Sequence, residues 1–175
     1  MKQAQRVYLI GFMGAGKTTI GRQLAQEMGW HFLDLDDWIE EQAGKSIPEV
    51  FREAGEAAFR QMERQAIEAT AQLFSPHIIA CGGGTPCQGD NMARLNELGL
   101  TIYLQQSPQE LTRRLLPFRA HRPMISQVPE AGLQTFIADL LAQREPYYLQ
   151  AQHHFSPSDA QVQHIHELLR FSTNS

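Results

Sequence analysis

The fold is decided by an apolar run that leads directly into a glycine-rich loop: Val7-Tyr8-Leu9-Ile10-Gly11-Phe12-Met13-Gly14-Ala15-Gly16-Lys17-Thr18-Thr19. Glycine, four residues and then Gly-Lys-Thr is the pattern of a phosphate-binding loop, in which backbone N–H groups curl around phosphate oxygens. Lys17 can reach the β- and γ-phosphates, and the Thr18 hydroxyl can ligate Mg²⁺. A helix with one apolar side follows, and Gly29 stands where it would end. We therefore expect this loop to hold ATP phosphates through Gly14, Ala15, Gly16, Lys17, Thr18 and Thr19.

The length and composition predict one globular domain over residues 1–175. Apolar residues make up 42% of the chain and charged residues 19%, which is a globular composition. The net charge of −4 argues against a nucleic-acid partner, and no apolar stretch is long enough to span a bilayer. The six residues before the first strand leave no room for a signal peptide, and two cysteines give no disulfide framework. We expect a cytoplasmic monomer that binds neither nucleic acid nor membrane.

Strand and helix signals alternate along the chain, which predicts an α/β fold with a five-stranded parallel sheet flanked by helices. The predicted strands are residues 7–10, 31–34, 77–81, 100–104 and 153–155. Ser46 and Glu49 form a capping box, and the helix after them stops near Gly55, where a longer helix over about 56–73 begins. Further helices follow from Ser107, over about 130–148, and from Asp159. Ligands bind at the carboxyl ends of such strands, where Asp34, Gly82 and the phosphate-binding loop should converge.

Two acids follow the second predicted strand, in the sequence Asp34-Leu35-Asp36. If the chain stays extended there, both carboxylates point to one side. One of them can then hold Mg²⁺ through water, and the other can meet an acceptor hydroxyl. The alternative is that Asp36 or Asp37 only caps the helix that follows.

Two further patterns are ambiguous when taken alone. Arg60 and Glu63 are three apart on a predicted helix, so they can form either a rigid anion clamp or an ordinary surface pair. Gly82-Gly83-Gly84 after an apolar strand lets the backbone approach a ligand closely, although a plain turn would use the same residues.

The stretch from Pro117 to Pro129 contains three prolines, at positions 117, 123 and 129, and cannot be a single helix. It carries Arg119 and Arg122, and we interpret it as a mobile flap. These two arginines and Arg144 are candidates to neutralise phosphate charge during transfer, with Arg119 the weakest of the three.

Taken together, these motifs resemble the shikimate kinase family along nearly the full length of the chain, up to about Tyr148. The shared elements are the loop from Gly11 to Thr18, Asp34-x-Asp36, Phe59-Arg60-x-x-Glu63, Gly82-Gly83-Gly84, Arg122-Pro123 and Arg144-x-x-Tyr147. The resemblance implies a nucleoside-monophosphate-kinase-like fold with a lid over about 113–129 and a substrate-binding region over about 34–63. It also implies transfer of the γ-phosphate of ATP to the 3-hydroxyl of shikimate, in the route to aromatic amino acids.

The resemblance assigns a role to each matching residue. Asp36 would hold the shikimate hydroxyls and orient or deprotonate the one that attacks, and Lys17 and Arg122 would contact the transferring phosphate. Arg60, supported by Glu63, and Arg144 would bind the carboxylate, while Gly82 and Gly83 would donate backbone N–H groups to the substrate. Thr18 would ligate Mg²⁺ directly and Asp34 through water.

The chain departs from the family pattern in two places. The lid segment 117–122 is richer in proline and aromatic residues, and segment 155–159 lacks the basic residue often found near the adenine. Arg113 or Arg114 could stack on the base together with Pro157. Two other readings stay open: a kinase for another small metabolite or a nucleoside monophosphate, and an ATP-binding regulator without catalysis. Arg60 and Arg144 favour an acceptor with a carboxylate, and an intact Asp36 argues against a regulator.

Overall fold

A computed structural model describes residues 5–156 and 163–169. The elements in chain order are β1 (Arg6–Ile10), α1 (Lys17–Met28), β2 (His31–Asp34), α2 (Leu35–Ala43), α3 (Ile47–Thr70), β3 (His77–Ala80), α4 (Asn91–Leu98), β4 (Leu100–Leu104), α5 (Pro108–Leu115), α6 (Glu130–Tyr148) and β5 (His153–Phe155). Residues 163–169 form a further helix, α7. Short 3₁₀ turns cover Thr85–Cys87 and Leu116–His121.

The five strands form one parallel sheet in the order β2-β3-β1-β4-β5, which confirms the predicted fold class. β1 is the central strand: Tyr8 pairs with Ile79 on one side and with Thr101 on the other. All five residues of β1 are buried. A strand covered on both faces has no solvent side, so residues 7–10 are continuously apolar instead of alternating, while the buried Arg6 donates to the backbone oxygens of Thr70 and Ala71.

Glycines end or interrupt the helices where the sequence predicted. Gly29 adopts a left-handed conformation after α1, with a φ of 65°. Gly55, with φ 81° and ψ 176°, breaks α3 into a short and a long part. The long part ends at Thr70, three residues before the predicted end. α4 was not among the predicted helices; it is short, and its N-cap residue Asp90 makes no side-chain capping bond.

The prediction that residues 34–36 remain extended is wrong. α2 begins at Leu35, directly after β2, and Asp34 is its cap. The Asp34 carboxylate accepts a hydrogen bond from the backbone N–H of Asp36 at 3.0 Å. Neither Asp36 nor Asp37 caps the helix; both lie in its first turn, where the positive end of the helix dipole favours negative charge.

Two predictions fall outside the described residues: the helix cap Asp159 and residues 157–159 of the expected adenine segment. Within α7, Ile165 and Leu169 are buried in the hydrophobic core, in agreement with the predicted apolar side. None of the helices in residues 5–156 and 163–169 is long and apolar enough to cross a membrane.

Candidate active site

The phosphate-binding loop connects β1 to α1 and depends on glycine at three positions. Gly11, Gly14 and Gly16 have φ angles of 143°, 80° and 96°, which side-chain-bearing residues rarely adopt. Gly16 is the N-cap residue of α1, so the positive end of that helix faces the concave side of the loop. This backbone provides an anion site without a contribution from any charged side chain.

Lys17 adds a cation to this loop. Its ammonium group donates to the backbone oxygens of Gly11 at 2.8 Å and Phe12 at 2.9 Å, and the residue is buried. Burial lowers the pKa of Lys17 to about 8, while the carboxylates of Asp36 and Asp34 act in the opposite direction. The lysine is therefore held in the loop by carbonyl groups, and a bound phosphate offers it a stronger partner.

Thr18 and Asp34 form a pair of oxygen ligands beside the loop. The Thr18 hydroxyl donates to Oδ2 of Asp34 at 2.8 Å, while Oδ1 of the same carboxylate accepts from the N–H of Asp36. Hydroxyl, carboxylate and water oxygens are the ligands that Mg²⁺ takes beside nucleotide phosphates. The two side chains therefore fit a magnesium ion next to the phosphate-binding loop.

Asp36 lies on the first turn of α2 and faces the glycine triplet after β3. Burial, together with the smaller effect of the neighbouring Asp34 carboxylate, raises the pKa of Asp36 to about 6, and the Lys17 ammonium opposes this shift. A Cβ built on Gly82 would lie 2.8 Å from Oδ1 of Asp36. A carboxyl group with a pKa near neutrality can accept a proton from a bound hydroxyl more readily than an ordinary surface aspartate.

The glycine triplet Gly82-Gly83-Gly84 leaves space that any side chain would fill. A Cβ on Gly83 would lie 3.5 Å from Nη1 of Arg144, and one on Gly84 would lie 3.1 Å from Nη1 of Arg60. An acid therefore stands at one end of the triplet and two guanidinium groups stand at the other. Sequence reasoning left open whether the triplet was a plain turn, and its neighbours indicate a binding surface.

Arg60 is fixed by acids of its own helix. Its Nη1 donates to Oε2 of Glu63 at 2.7 Å, and its Nη2 donates to Glu56 at 3.0 Å. Glu63 is only 2% exposed, and its second oxygen accepts from the hydroxyl of Thr85 at 2.5 Å. A surface pair would leave both partners exposed, so this geometry favours the clamp interpretation of the pattern.

Arg144 reaches the same region from α6. Its guanidinium carbon lies 5.6 Å from the centroid of the Phe12 ring, within the range of a cation–π contact. Its Nη2 lies 3.8 Å from the sulfur of Met124. One helical turn further, the Tyr148 hydroxyl donates to the backbone oxygen of Gly83 at 2.5 Å. α6 thus connects the lid segment with the glycine triplet.

Arg122 is the one predicted site residue that the structure leaves apart from the others. It is exposed, and its N–H donates to the backbone oxygen of Arg119 at 3.1 Å within the lid. Its charge contributes to the lowered pKa of Lys17, behind the larger effect of burial. The guanidinium of Arg119 donates to the backbone oxygen of Val128, so Arg119 is occupied within the lid and Arg122 is better placed to meet a ligand.

Sequence reasoning missed several contacts in the site. Thr85, Phe12 and Met124 had no assigned role, and no spacing rule relates them to Glu63 or Arg144. Arg114 was considered only for base stacking. Its Nη1 lies 3.4 Å from the oxygen of Gly14, and Glu110 holds its Nε at 2.6 Å. The spacing of Glu110 and Arg114 could have indicated this pair, but not that it reaches the phosphate-binding loop.

Comparisons with known proteins agree on one family. A family model described as "Shikimate kinase" matches residues 13–172. The chain is 40% identical to the shikimate kinase of Bacteroides thetaiotaomicron, covering 94% of this chain and 98% of that protein. It is 41% identical to that of Phocaeicola vulgatus, covering 88% and 87%.

Solved structures show the same likeness in three dimensions. The fold is similar to the crystal structure of shikimate kinase from Bacteroides thetaiotaomicron, with a TM-score of 0.86, 37% identity, and 98% and 99% of the two chains covered. It is also similar to the structure of shikimate kinase from Acinetobacter baumannii in complex with shikimate, with a TM-score of 0.83, 31% identity, and 99% and 96% covered.

Proposed function

The chain belongs to the shikimate kinase family, and from this premise we propose how its own residues transfer phosphate from ATP to shikimate. The protein is an enzyme, a phosphotransferase of aromatic amino acid biosynthesis that phosphorylates shikimate at the expense of ATP. The proposal concerns the position that is phosphorylated, which is the 3-hydroxyl, the residues that act, and the part played by Mg²⁺.

One observation carries the proposal: the glycine triplet lies between an acid and two arginines. Asp36 is next to Gly82, while Arg144 and Arg60 are next to Gly83 and Gly84. An acceptor that lies on this surface can place a hydroxyl at the acid and a carboxylate at the guanidinium groups. Shikimate carries both groups, whereas a nucleoside monophosphate would also need a pocket for its base.

On the acceptor side, we assign binding of the shikimate carboxylate to Arg60 and Arg144, which we call the carboxylate clamp. Gly82 and Gly83 would donate backbone N–H groups to the ring substituents. Asp36 would accept a hydrogen bond from the 3-hydroxyl, orient its oxygen towards ATP and take its proton as the new bond to phosphorus forms. The raised pKa of Asp36 supports this role, because the carboxylate gains a proton more easily than an exposed aspartate.

On the donor side, Gly14 to Thr19 would surround the ATP phosphates, and Lys17 would leave its two carbonyl partners for phosphate oxygens. Arg122 would approach with the lid and neutralise charge on the transferring group. Thr18 would hold Mg²⁺ directly and Asp34 through water. The ion would neutralise phosphate charge when bound.

The lid is proposed to cover about residues 113–129, and the acceptor-binding region about 34–63, within a single domain of residues 1–175. The last turn of α5 supplies residues 113–115 of the lid, and Leu116–His121 form its 3₁₀ turn. Closure of the lid would exclude water, which otherwise competes with shikimate for the phosphoryl group.

A monomeric state and a cytoplasmic location remain predictions.

The test is a measurement of ADP release with shikimate, gluconate, AMP and CMP as acceptors, followed by phosphorus NMR of the product. We expect turnover with shikimate and phosphate at its 3-hydroxyl. ATP without an acceptor should give only a small background, because the lid is expected to close over both substrates together and ATP alone leaves the site incomplete. Phosphorylation of another hydroxyl, or faster turnover with AMP, CMP or gluconate, would contradict the proposed acceptor site.

A further inference from the structure

We propose that Thr85 is a positioning residue for the carboxylate clamp: its hydroxyl fixes the rotamer of Glu63, and Glu63 in turn fixes the guanidinium of Arg60. This inference rests on the proposed role of Arg60 and extends it to a residue outside the substrate contacts.

The relay consists of two consecutive hydrogen bonds through one carboxylate. The Thr85 hydroxyl donates to Oε1 of Glu63 at 2.5 Å, and Oε2 of Glu63 accepts from Nη1 of Arg60 at 2.7 Å. Thr85 is 1% exposed and Glu63 2%, whereas the side chain of Arg60 keeps 24% of its surface exposed. The two buried members therefore orient the one member that can meet a ligand.

Both oxygens of Glu63 need a partner because the carboxylate is buried. Loss of the donor to a buried acceptor lowers the free energy of unfolding by more than the hydrogen bond itself contributed, because water cannot replace the donor. Without the Thr85 hydroxyl, Oε1 would turn towards Arg60 or towards solvent. Either movement changes the direction in which Arg60 presents its remaining N–H groups.

The position of Thr85 does not depend on its side chain. Its N–H donates to the oxygen of Gly82 at 3.2 Å, and its carbonyl oxygen accepts from Nδ2 of Asn91 at 2.9 Å. These backbone bonds hold the start of the 3₁₀ turn on both sides. Replacement of the hydroxyl by a methyl group should thus remove the contact to Glu63 while the backbone remains in place.

The hydroxyl also lies beside the glycine triplet. A Cβ built on Gly82 would lie 2.8 Å from Oγ1 of Thr85 and 2.8 Å from Oδ1 of Asp36. Thr85 is thus next to the acceptor surface, but it is buried and its hydroxyl is bound to Glu63. A defect at Thr85 should consequently affect shikimate and spare ATP.

The experiment compares Thr85→Val, which keeps the shape, with Thr85→Ser, which keeps the hydroxyl, and measures KM for both substrates, kcat and thermal melting. Thr85→Val should raise the KM for shikimate about 5- to 30-fold, which corresponds to about 1–2 kcal/mol. The KM for ATP should change by less than about twofold, within the usual scatter between independent sites. Thr85→Ser should restore most of the lost affinity. Thr85→Cys, a weaker donor of similar size, should fall between the two and serves if the valine variant does not fold.

The same substitutions in an Arg60→Ala background separate the two proposals. If Thr85 acts through Arg60, Thr85→Val should add less than about twofold to the shikimate KM of Arg60→Ala. An equal increase in both backgrounds, or a serine variant as impaired as the valine one, would overturn the positioning role. If Arg60→Ala alone leaves the KM for shikimate unchanged, the proposed clamp fails. If Arg60→Ala weakens shikimate and Thr85→Val does not, only the role of Thr85 fails.

Discussion

Thr18 donates its hydroxyl hydrogen to Asp34 across 2.8 Å and so joins the first turn of α1 to the residue that caps α2. The second oxygen of the Asp34 carboxylate accepts from the N–H of Asp36. One side chain therefore serves two purposes: it belongs to the proposed magnesium site and fixes the helical turn that carries the proposed base. The donor and acceptor halves of the site meet at this carboxylate.

Asp34→Asn should weaken the binding of Mg²⁺ by the enzyme and preserve the fold. The amide oxygen can still accept from the N–H of Asp36, so the cap of α2 survives. The lost charge should raise the Mg²⁺ concentration for half-maximal activity by about 10- to 100-fold, the usual effect of removing a supporting group from a metal site. Activity titrations with Mg²⁺ check this, and Asp37→Asn on the same helical turn is the control. An unchanged Mg²⁺ requirement in Asp34→Asn would remove this residue from the metal site.

Asp36→Asn should lower kcat by about 10²- to 10⁴-fold, the range expected for loss of a general base. In the unmutated enzyme, kcat/KM for shikimate should rise with pH through about 6, because the pKa of Asp36 in the free protein is raised to about 6 and the base acts only when ionised. The measurement is a pH profile of both proteins. A normal kcat with only a raised KM would make Asp36 a binding residue.

The same substitution should stabilise the folded protein at neutral pH. The folded pKa of Asp36 lies above its ordinary value, so its protonated form favours folding. That stability is fully present below about pH 4 and is lost as the pH rises through about 6. Asparagine resembles the protonated form and avoids this loss, which amounts to at most about 3 kcal/mol. Melting temperatures should therefore be higher for Asp36→Asn at pH 7.5 and should converge near pH 4; a lower one at pH 7.5 would contradict the burial of the charge.

The parallel sheet was predictable because its signals are local. A continuous apolar run such as β1 is typical of a strand buried on both faces, and the glycines of the phosphate-binding loop have few other uses at that spacing. The breaks at Gly29 and Gly55 follow from the left-handed conformation that glycine adopts at low cost. These features require no knowledge of which elements become neighbours.

The errors arose where the outcome depends on tertiary contacts. The sequence Asp34-Leu35-Asp36 is compatible with an extended chain and with a helix start. In the structure the Asp34 carboxylate caps α2 through the N–H of Asp36 and also accepts from the Thr18 hydroxyl of α1, a contact that no local pattern predicts. The contact of Thr85 with Glu63 joins residues 22 positions apart. No periodicity relates such residues, so sequence reasoning could predict Arg60 and Glu63 but not the donor that fixes them.

Gly82→Ala should impair the acceptor site without unfolding the protein. The new Cβ would lie 2.8 Å from both the Asp36 carboxylate and the Thr85 hydroxyl, closer than real Cβ contacts. We expect kcat/KM for shikimate to fall at least about tenfold. This corresponds to a loss of about 1.4 kcal/mol of transition-state stabilisation. Gly132→Ala on α6 is the matched control, because a Cβ there meets no atom within 4 Å. Equal activity of Gly82→Ala and Gly132→Ala would show that the triplet does not line the acceptor surface.

The lid should gain protection from hydrogen exchange only when both substrates are present. Phe118 is 59% exposed and Met124 48%, so the lid has apolar surface available for burial on closure. Exchange of residues 116–129 should slow when shikimate and a non-hydrolysable ATP analogue are added together, and less with either alone. α4, on a different part of the chain, serves as the internal reference. Equal exchange of 116–129 in all states would rule out a ligand-driven closure.

Arg60→Ala should weaken shikimate binding by about 10- to 150-fold, because a charge-assisted contact to a carboxylate contributes about 1.5–3 kcal/mol. ATP binding should change little, since Arg60 belongs to the acceptor side. Glu63→Gln should have a smaller effect of the same kind, because the amide supports Arg60 less well. Arg52→Ala is the matched control: this arginine of α3 is exposed and pairs with Glu53 of the same helix.

Separate titrations with shikimate and with ATP on each of these variants measure both affinities, and the carboxamide analogue of shikimate completes the set. The analogue should bind the unmutated enzyme more weakly than shikimate, and the two should bind Arg60→Ala with more similar affinities, because the lost charge pair is then absent from both complexes. If Arg60→Ala weakens ATP as much as shikimate, or if the carboxamide binds the unmutated enzyme as tightly as shikimate, Arg60 does not bind the carboxylate. The acid at Gly82 and the guanidinium groups at Gly83 and Gly84 would then need another acceptor orientation.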